Sequence, residues 1–297
     1  MKFKAVFQSM RLPFLVLTPA CVLLGGAIAL ASSAPVIWLH LWLGLAGALA
    51  AHIAVNTLNE YQDFRSGLDA LTSRTPFSGG SGALIRCPDA AVAVRVSAGL
   101  SLLLVVLIGL YFIMHYGAAI LPVGLLGVAI IVLYTRWINQ RPWLCLVTPG
   151  IAFGPLMVVG THFVLTGHYS VVAAGVSLVS FFLANNLLLL NQFPDMQADR
   201  QVGRRHLPIA YGVEFATGVY GFMAAAAMLV IVLGVDSGTL PSLCLLALLP
   251  AAIGLFVWMG ARRYGDQIGR LRPYLALNVF AAVVTPLVLS ITLFLGH

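Results

Sequence analysis

The stretch NQFPDMQADRQVGRRHLPIAYG, from Asn191 to Gly212, is the most informative part of this chain, because it places many charges between two apolar runs. Asp195 and Asp199 stand four residues apart in it, and the whole chain has only nine Asp and Glu. Residues at i and i+4 of a helix lie on one face, so these carboxylates are predicted to point at one spot. Converging carboxylates repel each other unless a cation lies between them. Mg²⁺ prefers such oxygen ligands and shares them with substrate phosphates.

The composition is that of a membrane protein. Of the 297 residues, 61% are hydrophobic and 8% are charged, whereas a soluble domain has about 25% charged residues. A transmembrane helix needs roughly 20 apolar residues. Nine stretches are predicted to span the membrane, at about residues 12–31, 35–56, 90–114, 117–135, 143–166, 170–191, 208–234, 239–260 and 273–295. The prediction is an all-α integral membrane bundle of nine transmembrane helices, in a single domain over residues 1–297.

The positive charges predict the orientation of this bundle. All sixteen Lys and Arg fall on the same side of the nine predicted spans. The positive-inside rule then places the N-terminus in the cytoplasm and the C-terminus, His297, outside. The net charge of +7 follows topology in this way, so no nucleic-acid partner is predicted. The chain is expected to be a multi-pass protein of the inner (cytoplasmic) membrane, with the lipid bilayer around it.

A second acidic stretch, NTLNEYQDFRSGLDALTSRTPFSGGSGAL, follows the second predicted span from Asn56 to Leu84. Asn59 and Asp63 are four residues apart, and Asn56 lies on the same helix face. Asp69 comes after a glycine, which allows the chain to turn and fold this carboxylate back. The two stretches together hold five of the nine acidic residues.

Two acidic clusters on one membrane face suit a diphosphate carried on Mg²⁺. The active-site loops are predicted to be cytoplasmic, at about residues 57–89 and 192–207. Metal ions neutralise a leaving diphosphate, and arginines bind its remaining oxygens. Departure of diphosphate from an allylic carbon leaves a delocalised cation, which needs a dry, apolar and aromatic-lined cavity. The transmembrane helices are expected to provide this cavity and to surround an isoprenoid tail.

The two motifs resemble those of the UbiA superfamily of membrane prenyltransferases, which have an N-D-x-x-D-type motif after span 2 and a D-x-x-x-D motif after span 6. Asn59, Asp63 and Asp69 match the first motif, and Asp195 and Asp199 match the second. The chain is most similar to the 1,4-dihydroxy-2-naphthoate polyprenyltransferase branch. In that branch the first motif reads N-x-x-N-D-Y-x-D, and its last acid follows ten residues after the second Asn, as here.

The resemblance implies a Mg²⁺-dependent transfer of a polyprenyl group from polyprenyl diphosphate to an aromatic acceptor. The expected acceptor is 1,4-dihydroxy-2-naphthoate, in menaquinone biosynthesis. The expected metal ligands are Asn59, Asp63, Asp195 and Asp199. The expected catalytic residues are Asp63, Asp195, Arg204 and Tyr134. The expected substrate-binding residues are Asn56, Asn59, Asp69, Arg136, Arg200 and Arg11.

Two alternatives stay open from the sequence. One is another acceptor used within the superfamily: 4-hydroxybenzoate, homogentisate, haem or a glycerol phosphate lipid. The other is a transporter for an anionic metabolite. A transporter carries charged residues at mid-membrane and broken helices, whereas the acidic residues here cluster at one face.

Three further groups of residues have predicted roles. Asn185, Asn186 and Asn278 fall within predicted spans and are expected to face the bundle interior, because polar groups in lipid are costly. His52 lacks metal-ligand spacing and is interpreted as a packing or interfacial residue. The glycine-rich segment 79–82 is either a mobile lid over the site or a plain loop.

Overall fold

The computed structural model describes residues 1–32, 36–72, 74–265 and 267–296, and within these ranges it contains helices and no strands. The all-α prediction is therefore confirmed for this part of the chain. One π-helix, Ala152–Val159, connects α9 to α10. The α-helices, in chain order, are α1 (Lys2–Ser9), α2 (Leu12–Leu15), α3 (Leu17–Ala31), α4 (Trp38–Ser66), α5 (Leu68–Leu71), α6 (Ala83–Arg86), α7 (Ala91–Tyr116), α8 (Leu121–Leu133), α9 (Pro142–Ile151), α10 (Gly160–Thr166), α11 (Val171–Asn191), α12 (Met196–Gln201), α13 (Leu207–Asp236), α14 (Leu248–Tyr264) and α15 (Ile268–Gly296).

The helices make this a multi-pass integral membrane protein. Seven described helices are long and apolar enough to cross a membrane, and eight segments qualify when the bent pair Lys2–Leu15 and Leu17–Ala31 counts as one span. The predicted count of nine is not confirmed, because Pro88–Leu133 counts here as one helix of 46 residues. The orientation of the termini stays a prediction, and His297 lies outside the described residues.

The long helical stretch Pro88–Leu133 folds back on itself. Near its start, the Arg95 guanidinium lies 5.8 Å from the ring centroid of Tyr61 on α4. Just past its end, the Thr135 hydroxyl donates a hydrogen bond of 2.9 Å to Asn59 Oδ1, also on α4. Both ends therefore meet the same end of α4. The reversal falls at Gly117, whose φ of 68° and ψ of −157° interrupt the helix, so α7 and α8 form an antiparallel hairpin.

A closed set of hydrogen bonds joins α11, α13 and α15 inside the bundle. The Asn186 amide donates to the Tyr220 carbonyl at 3.0 Å, and the Tyr220 hydroxyl donates to Asn278 Oδ1 at 2.7 Å. The Asn278 amide donates to the Asn186 carbonyl at 3.0 Å. These side chains face the interior, as predicted. Because α11 ends at Asn191, this three-helix frame fixes the position of the acidic stretch that follows.

Candidate active site

The first acidic motif lies on a helix rather than in a loop. The helix α4 continues to Ser66, so the predicted start of the loop at residue 57 is wrong. The Asn59 amide donates to Asp63 Oδ2 at 3.1 Å, as the i, i+4 spacing predicts. Asn56, one turn earlier on the same face, donates its amide to the Met10 carbonyl at 3.0 Å. The end of α4 therefore presents a row of polar side chains and is tied to the N-terminal segment.

Gly67 ends α4 and turns the chain, so that the residues after it fold back against α4. Its φ of 80° is a left-handed conformation that glycine adopts without strain. The turn buries the Asp69 side chain, which is 3% exposed. Burial raises the pKa of Asp69 to about 7, and the nearby carboxylates of Glu60 and Asp63 act in the same direction. Asp69 Oδ2 has no hydrogen-bond partner among the described residues, so it is available to a ligand.

The second acidic motif surrounds the short helix α12. Asp195 precedes this helix, and the Asp199 amide donates to the Asp195 carbonyl at 2.9 Å, which closes one helical turn. The two carboxylates therefore share a face, as predicted. Burial raises the pKa of Asp195 to about 7, and the Asp199 charge adds to the effect, while a hydrogen bond from the Gly79 amide opposes it. Asp195 Oδ1 has no partner within the described ranges.

Arg204 joins the two motifs. Its guanidinium donates to Asp63 Oδ1 on α4 and, at 2.9 Å, to Asp199 Oδ1 on α12. His206 Nε2 lies 3.0 Å from the other oxygen of Asp199. Burial alone would lower the pKa of Arg204, but its two carboxylate partners raise it above the usual value. The guanidinium is therefore a permanent positive charge between the two acidic motifs.

The segment from Gly79 to Gly82, here called the strap, also links the motifs. The Gly79 amide donates to Asp195 Oδ2 at 2.9 Å. The Ser81 amide donates to Glu60 Oε2 at 3.0 Å, and the Ser81 hydroxyl donates to Glu60 Oε1. Three strap glycines have φ between 64° and 80°, which favours glycine over other residues. The strap is therefore a specific contact between the two acidic motifs rather than a plain loop.

These elements line a cavity of about 160 Å³, here called the chamber. Arg136 and Arg200 are exposed and do not line it. Arg136 lies on the turn after α8, and Arg200 follows Asp199 on the outward face of α12. Substrate-binding roles for these two arginines stay predictions. The other predicted site residues all line the chamber: Arg11, Asn56, Asn59, Asp63, Asp69, Tyr134, Asp195, Asp199 and Arg204.

A second, apolar cavity of about 220 Å³ adjoins the chamber and is lined by α4, α7, α8, α10 and the π-helix. His52 and Phe153 line both cavities, so they form the neck between them. Glycines keep the apolar cavity open, because a Cβ added at Gly109 or Gly124 would meet no atom within 4 Å. At Gly127 the nearest side-chain atom would be 4.0 Å away. The chamber and the apolar cavity together suit a ligand with a charged head and a long apolar tail.

Sequence reasoning missed several residues of the chamber. His52 lines the chamber rather than serving only as a packing or interfacial residue, and its position four residues before Asn56 places it on the face of the first motif. Asn191 and Gln192 at the end of α11 also line the chamber. Their spacing to Asp195 offered a signal, because they lie within one or two helical turns of it. Glu60 holds the strap, a contact that no local pattern predicts.

The oxygen atoms of the chamber suit Mg²⁺. No group of three or more His, Cys, Asp or Glu side chains in the described part of the chain is placed to hold a metal ion. Mg²⁺ usually binds one or two carboxylates and completes its shell with substrate phosphates and water, so such a cluster is not required. Four buried oxygens that line the chamber have no hydrogen-bond partner among the described residues: Asp69 Oδ2, Asn191 Oδ1, Gln192 Oε1 and Asp195 Oδ1. These unpaired hard ligands fit a metal that is shared with a bound diphosphate.

Comparison with known proteins identifies the family. Residues 18–294 match the model of the UbiA prenyltransferase family. The chain belongs to the UbiA family. It is accordingly a membrane prenyltransferase. A relative, the 1,4-dihydroxy-2-naphthoate octaprenyltransferase of Bacillus subtilis (strain 168), is 30% identical over 171 residues. That match covers 57% of this chain and 53% of the relative, so it spans about half the length of each protein.

Solved structures of low sequence identity share the fold of this UbiA-family chain. A digeranylgeranylglyceryl phosphate synthase is 14% identical, with a TM-score of 0.67 over 99% of both chains. A UbiA homolog from Archaeoglobus fulgidus bound to DMAPP and Mg²⁺ is 13% identical, with a TM-score of 0.59 over 95% of this chain and 98% of that one. A UbiA homolog from Archaeoglobus fulgidus bound to GPP and Mg²⁺ is 15% identical, with a TM-score of 0.59 over 96% of this chain and 99% of that one.

Proposed function

We propose that this UbiA-family enzyme transfers a polyprenyl group from polyprenyl diphosphate to the aromatic acceptor 1,4-dihydroxy-2-naphthoate, in menaquinone biosynthesis. The observation that carries the proposal is the meeting of two acidic motifs at one chamber that adjoins an apolar cavity. The chamber would hold the diphosphate, and the apolar cavity would hold the prenyl tail. The reaction would take place at the cytoplasmic face of the inner membrane.

The chamber residues have distinct roles in this proposal. Asn59, Asp63, Asp195 and Asp199, with Asp69 in support, would hold Mg²⁺, which when bound neutralises charge on the leaving diphosphate. Arg204 is already positioned between the two motifs. Negative charge grows on the diphosphate oxygens as the allylic C–O bond breaks. A preorganised guanidinium therefore stabilises the transition state more than the ground state.

The neck defines where the prenyl chain reacts. With the diphosphate in the chamber and the tail in the apolar cavity, the allylic carbon lies between them, beside His52 and Phe153. Apolar walls exclude water from this position, which protects a developing allylic cation from hydrolysis. The Phe153 ring adds an aromatic surface that favours a nearby cation.

Arg11 supports an aromatic acceptor that carries a carboxylate. It is a non-glycine residue with a left-handed backbone (φ 54°, ψ 51°), held at the junction of α1 and α2, and such strain is typical of functional sites. Its guanidinium lies 4.6 Å from the Phe14 ring centroid and donates to the Phe77 carbonyl at 3.5 Å. Among the described residues it has no carboxylate partner within ion-pair distance. The Phe14 ring, which lines the chamber, would pack on the acceptor ring, and Arg11 would bind the acceptor carboxylate.

The test is an assay of membranes that contain the protein. Labelled geranyl and longer prenyl diphosphates are supplied with 1,4-dihydroxy-2-naphthoate, 4-hydroxybenzoate, homogentisate, haem or a glycerol phosphate lipid. We expect transfer to the naphthoate, loss of transfer in EDTA and recovery with Mg²⁺. Transfer to haem or to the glycerol phosphate lipid alone would overturn the proposed acceptor. Transfer that persists in EDTA would overturn the metal requirement.

A further inference from the structure

His52 occupies a position that diphosphate binding does not explain. It lies on the same face of α4 as Asn56, Asn59 and Asp63, at helical spacings of four, three and four residues. Among these four side chains it is the one that lines both the chamber and the apolar cavity. His52 is therefore the deepest polar group on this face, at the neck where the allylic carbon and the acceptor must meet.

The His52 ring is held by two specific contacts. Its Nδ1 lies 2.8 Å from the hydroxyl oxygen of Thr18 on α3, and Thr18 is fully buried. Its ring packs edge-to-face against Phe153, with centroids 5.1 Å apart. Phe153 belongs to the π-helix Ala152–Val159, and such helices are rare and frequently lie at functional sites. Polar groups inside a membrane bundle are costly and usually functional, so this fixed imidazole requires an explanation.

Nδ1 and Nε2 of His52 have different surroundings. Thr18 occupies the Nδ1 side of the ring, and Nε2 has no hydrogen-bond partner among the described residues. When Nδ1–H donates to the Thr18 hydroxyl oxygen, Nε2 keeps its lone pair and can accept a proton. Arg11, the proposed site of the acceptor carboxylate, lines the same chamber as His52. An acceptor bound there would place its ring between Arg11 and the neck.

We propose that His52 is a catalytic residue that takes the proton of the acceptor hydroxyl through Nε2. The proposal rests on the proposed function. The allylic C–O bond breaks, and its electron pair leaves with the diphosphate. The acceptor hydroxyl gives its proton to Nε2, and the electron-rich ring carbon forms the new C–C bond. The ring carbon then loses its own proton to the released diphosphate, or its carboxyl group as CO₂, and the His52 imidazolium returns its proton to the acceptor oxygen. Thr18 acts as a positioning residue that sets the tautomer.

The first test compares His52→Gln with His162→Gln in the full-length protein in membranes. Glutamine keeps a hydrogen-bonding side chain but cannot act as a base at neutral pH. We expect His52→Gln to lower kcat by about a hundredfold or more, the usual size of general-base catalysis, with little change in the KM of prenyl diphosphate. His162 is buried on α10 outside both cavities, so its substitution reports the cost of losing a buried imidazole and should leave kcat near normal.

A second test separates proton transfer from packing. Acceptors with increasingly acidic hydroxyl groups need less help from a base, so the deficit of His52→Gln should shrink along such a series. Added imidazole should partly restore the activity of His52→Gly, and Thr18→Val should lower kcat less than His52→Gln. An equal deficit with every acceptor, together with no rescue by imidazole, would overturn the role of His52 and leave the proposed function standing. Absence of transfer by the unchanged protein would instead overturn the proposed function, and this inference with it.

Discussion

The guanidinium of Arg204 donates a hydrogen bond to the carboxylate of Asp63, which lies 141 positions earlier in the chain. It also donates to Asp199 at 2.9 Å, so one cation holds carboxylates from both acidic motifs. Asp63 is 6% exposed and Asp199 is 3% exposed. Because buried carboxylates without a cation repel each other, this contact fixes the spacing of the two motifs before any ligand binds.

The first prediction concerns Arg204→Gln. Glutamine retains hydrogen-bonding capacity but removes the charge that stabilises the leaving diphosphate. We expect kcat to fall by about 10²- to 10³-fold, the scale of one lost electrostatic contact in a transition state. The loss should be similar for every acceptor, because the diphosphate is common to all of them. Arg205→Gln, one position away and exposed, is the matched control. A defect limited to one acceptor would place Arg204 at the acceptor instead.

The second prediction concerns Asp195→Asn. Asparagine keeps the oxygen that accepts the Gly79 amide at 2.9 Å, so the strap should remain attached. It removes the negative charge needed for Mg²⁺, so transfer should fall by at least about a hundredfold, while the amount of protein in the membrane stays near normal. Asp89→Asn removes an exposed carboxylate outside the chamber and serves as the control. Near-normal transfer by Asp195→Asn would show that this carboxylate does not bind the metal.

The third prediction is a pH dependence of Mg²⁺ binding. Burial raises the pKa of Asp69 and of Asp195 from 3.8 to about 7. Mg²⁺ must displace these protons, so its apparent affinity should weaken below pH 7, by up to about tenfold per pH unit for each carboxylate.

The same raised pKa values affect folding stability, because the metal-free folded state holds protons on Asp69 and Asp195 that the unfolded chain has released. Its stability in EDTA should therefore fall as pH rises from about 4 to about 7, and Mg²⁺ should offset this loss.

Asp69→Asn provides the control for this pH dependence. It removes one of the two groups with a raised pKa, so the slope of Mg²⁺ affinity against pH should become shallower. The measurements are the Mg²⁺ concentration for half-maximal activity between pH 6 and 8, and the melting temperature in detergent with EDTA or Mg²⁺. A Mg²⁺ requirement that does not change with pH would contradict the prediction.

The fourth prediction concerns the size of the apolar cavity. Gly127 lines this cavity, and a Cβ there would have its nearest neighbour, a Leu156 side-chain atom, at 4.0 Å. Gly127→Leu should therefore fill space that a prenyl tail would use. We expect transfer from long polyprenyl diphosphates to be lost, while transfer from dimethylallyl or geranyl diphosphate is retained. Gly99→Leu is the control, because Gly99 is exposed on α7 and a Cβ there would meet nothing within 4 Å.

The ratio of long-chain to short-chain transfer is the measured quantity, and each substrate is assayed on the same membranes. This ratio is independent of the amount of enzyme, so a loss of expression cannot imitate the expected effect. An unchanged ratio in Gly127→Leu would exclude the apolar cavity as the site of the tail.

The local features of the site were predictable because they depend on helical periodicity. The pairs Asn59 with Asp63 and Asp195 with Asp199 follow from a spacing of four residues. The return of Asp69 follows from the glycine before it. Such patterns need no knowledge of neighbouring helices.

The roles of the arginines and of His52 depend on tertiary contacts that no local pattern contains. Arg136 and Arg204 both flank predicted spans, yet only Arg204 is turned into the chamber by its two carboxylate partners. His52 gains its position from Thr18 on α3 and Phe153 in the π-helix. A π-helix has no simple sequence pattern, so the neck between the cavities was not predicted.

The pairing of Asp63 with Arg204 also has a consequence for biogenesis. A nascent chain inserted only as far as α8 carries Asn59 and Asp63 but lacks Arg204 and the second acidic motif. It therefore lacks the cation Arg204 and two of the carboxylates, Asp195 and Asp199, that the proposed diphosphate site requires. In the proposed reaction, ionisation of prenyl diphosphate can begin only after α12 and Arg204 have been synthesised. A fragment released from a ribosome that stalls before α12 is therefore expected not to ionise prenyl diphosphate.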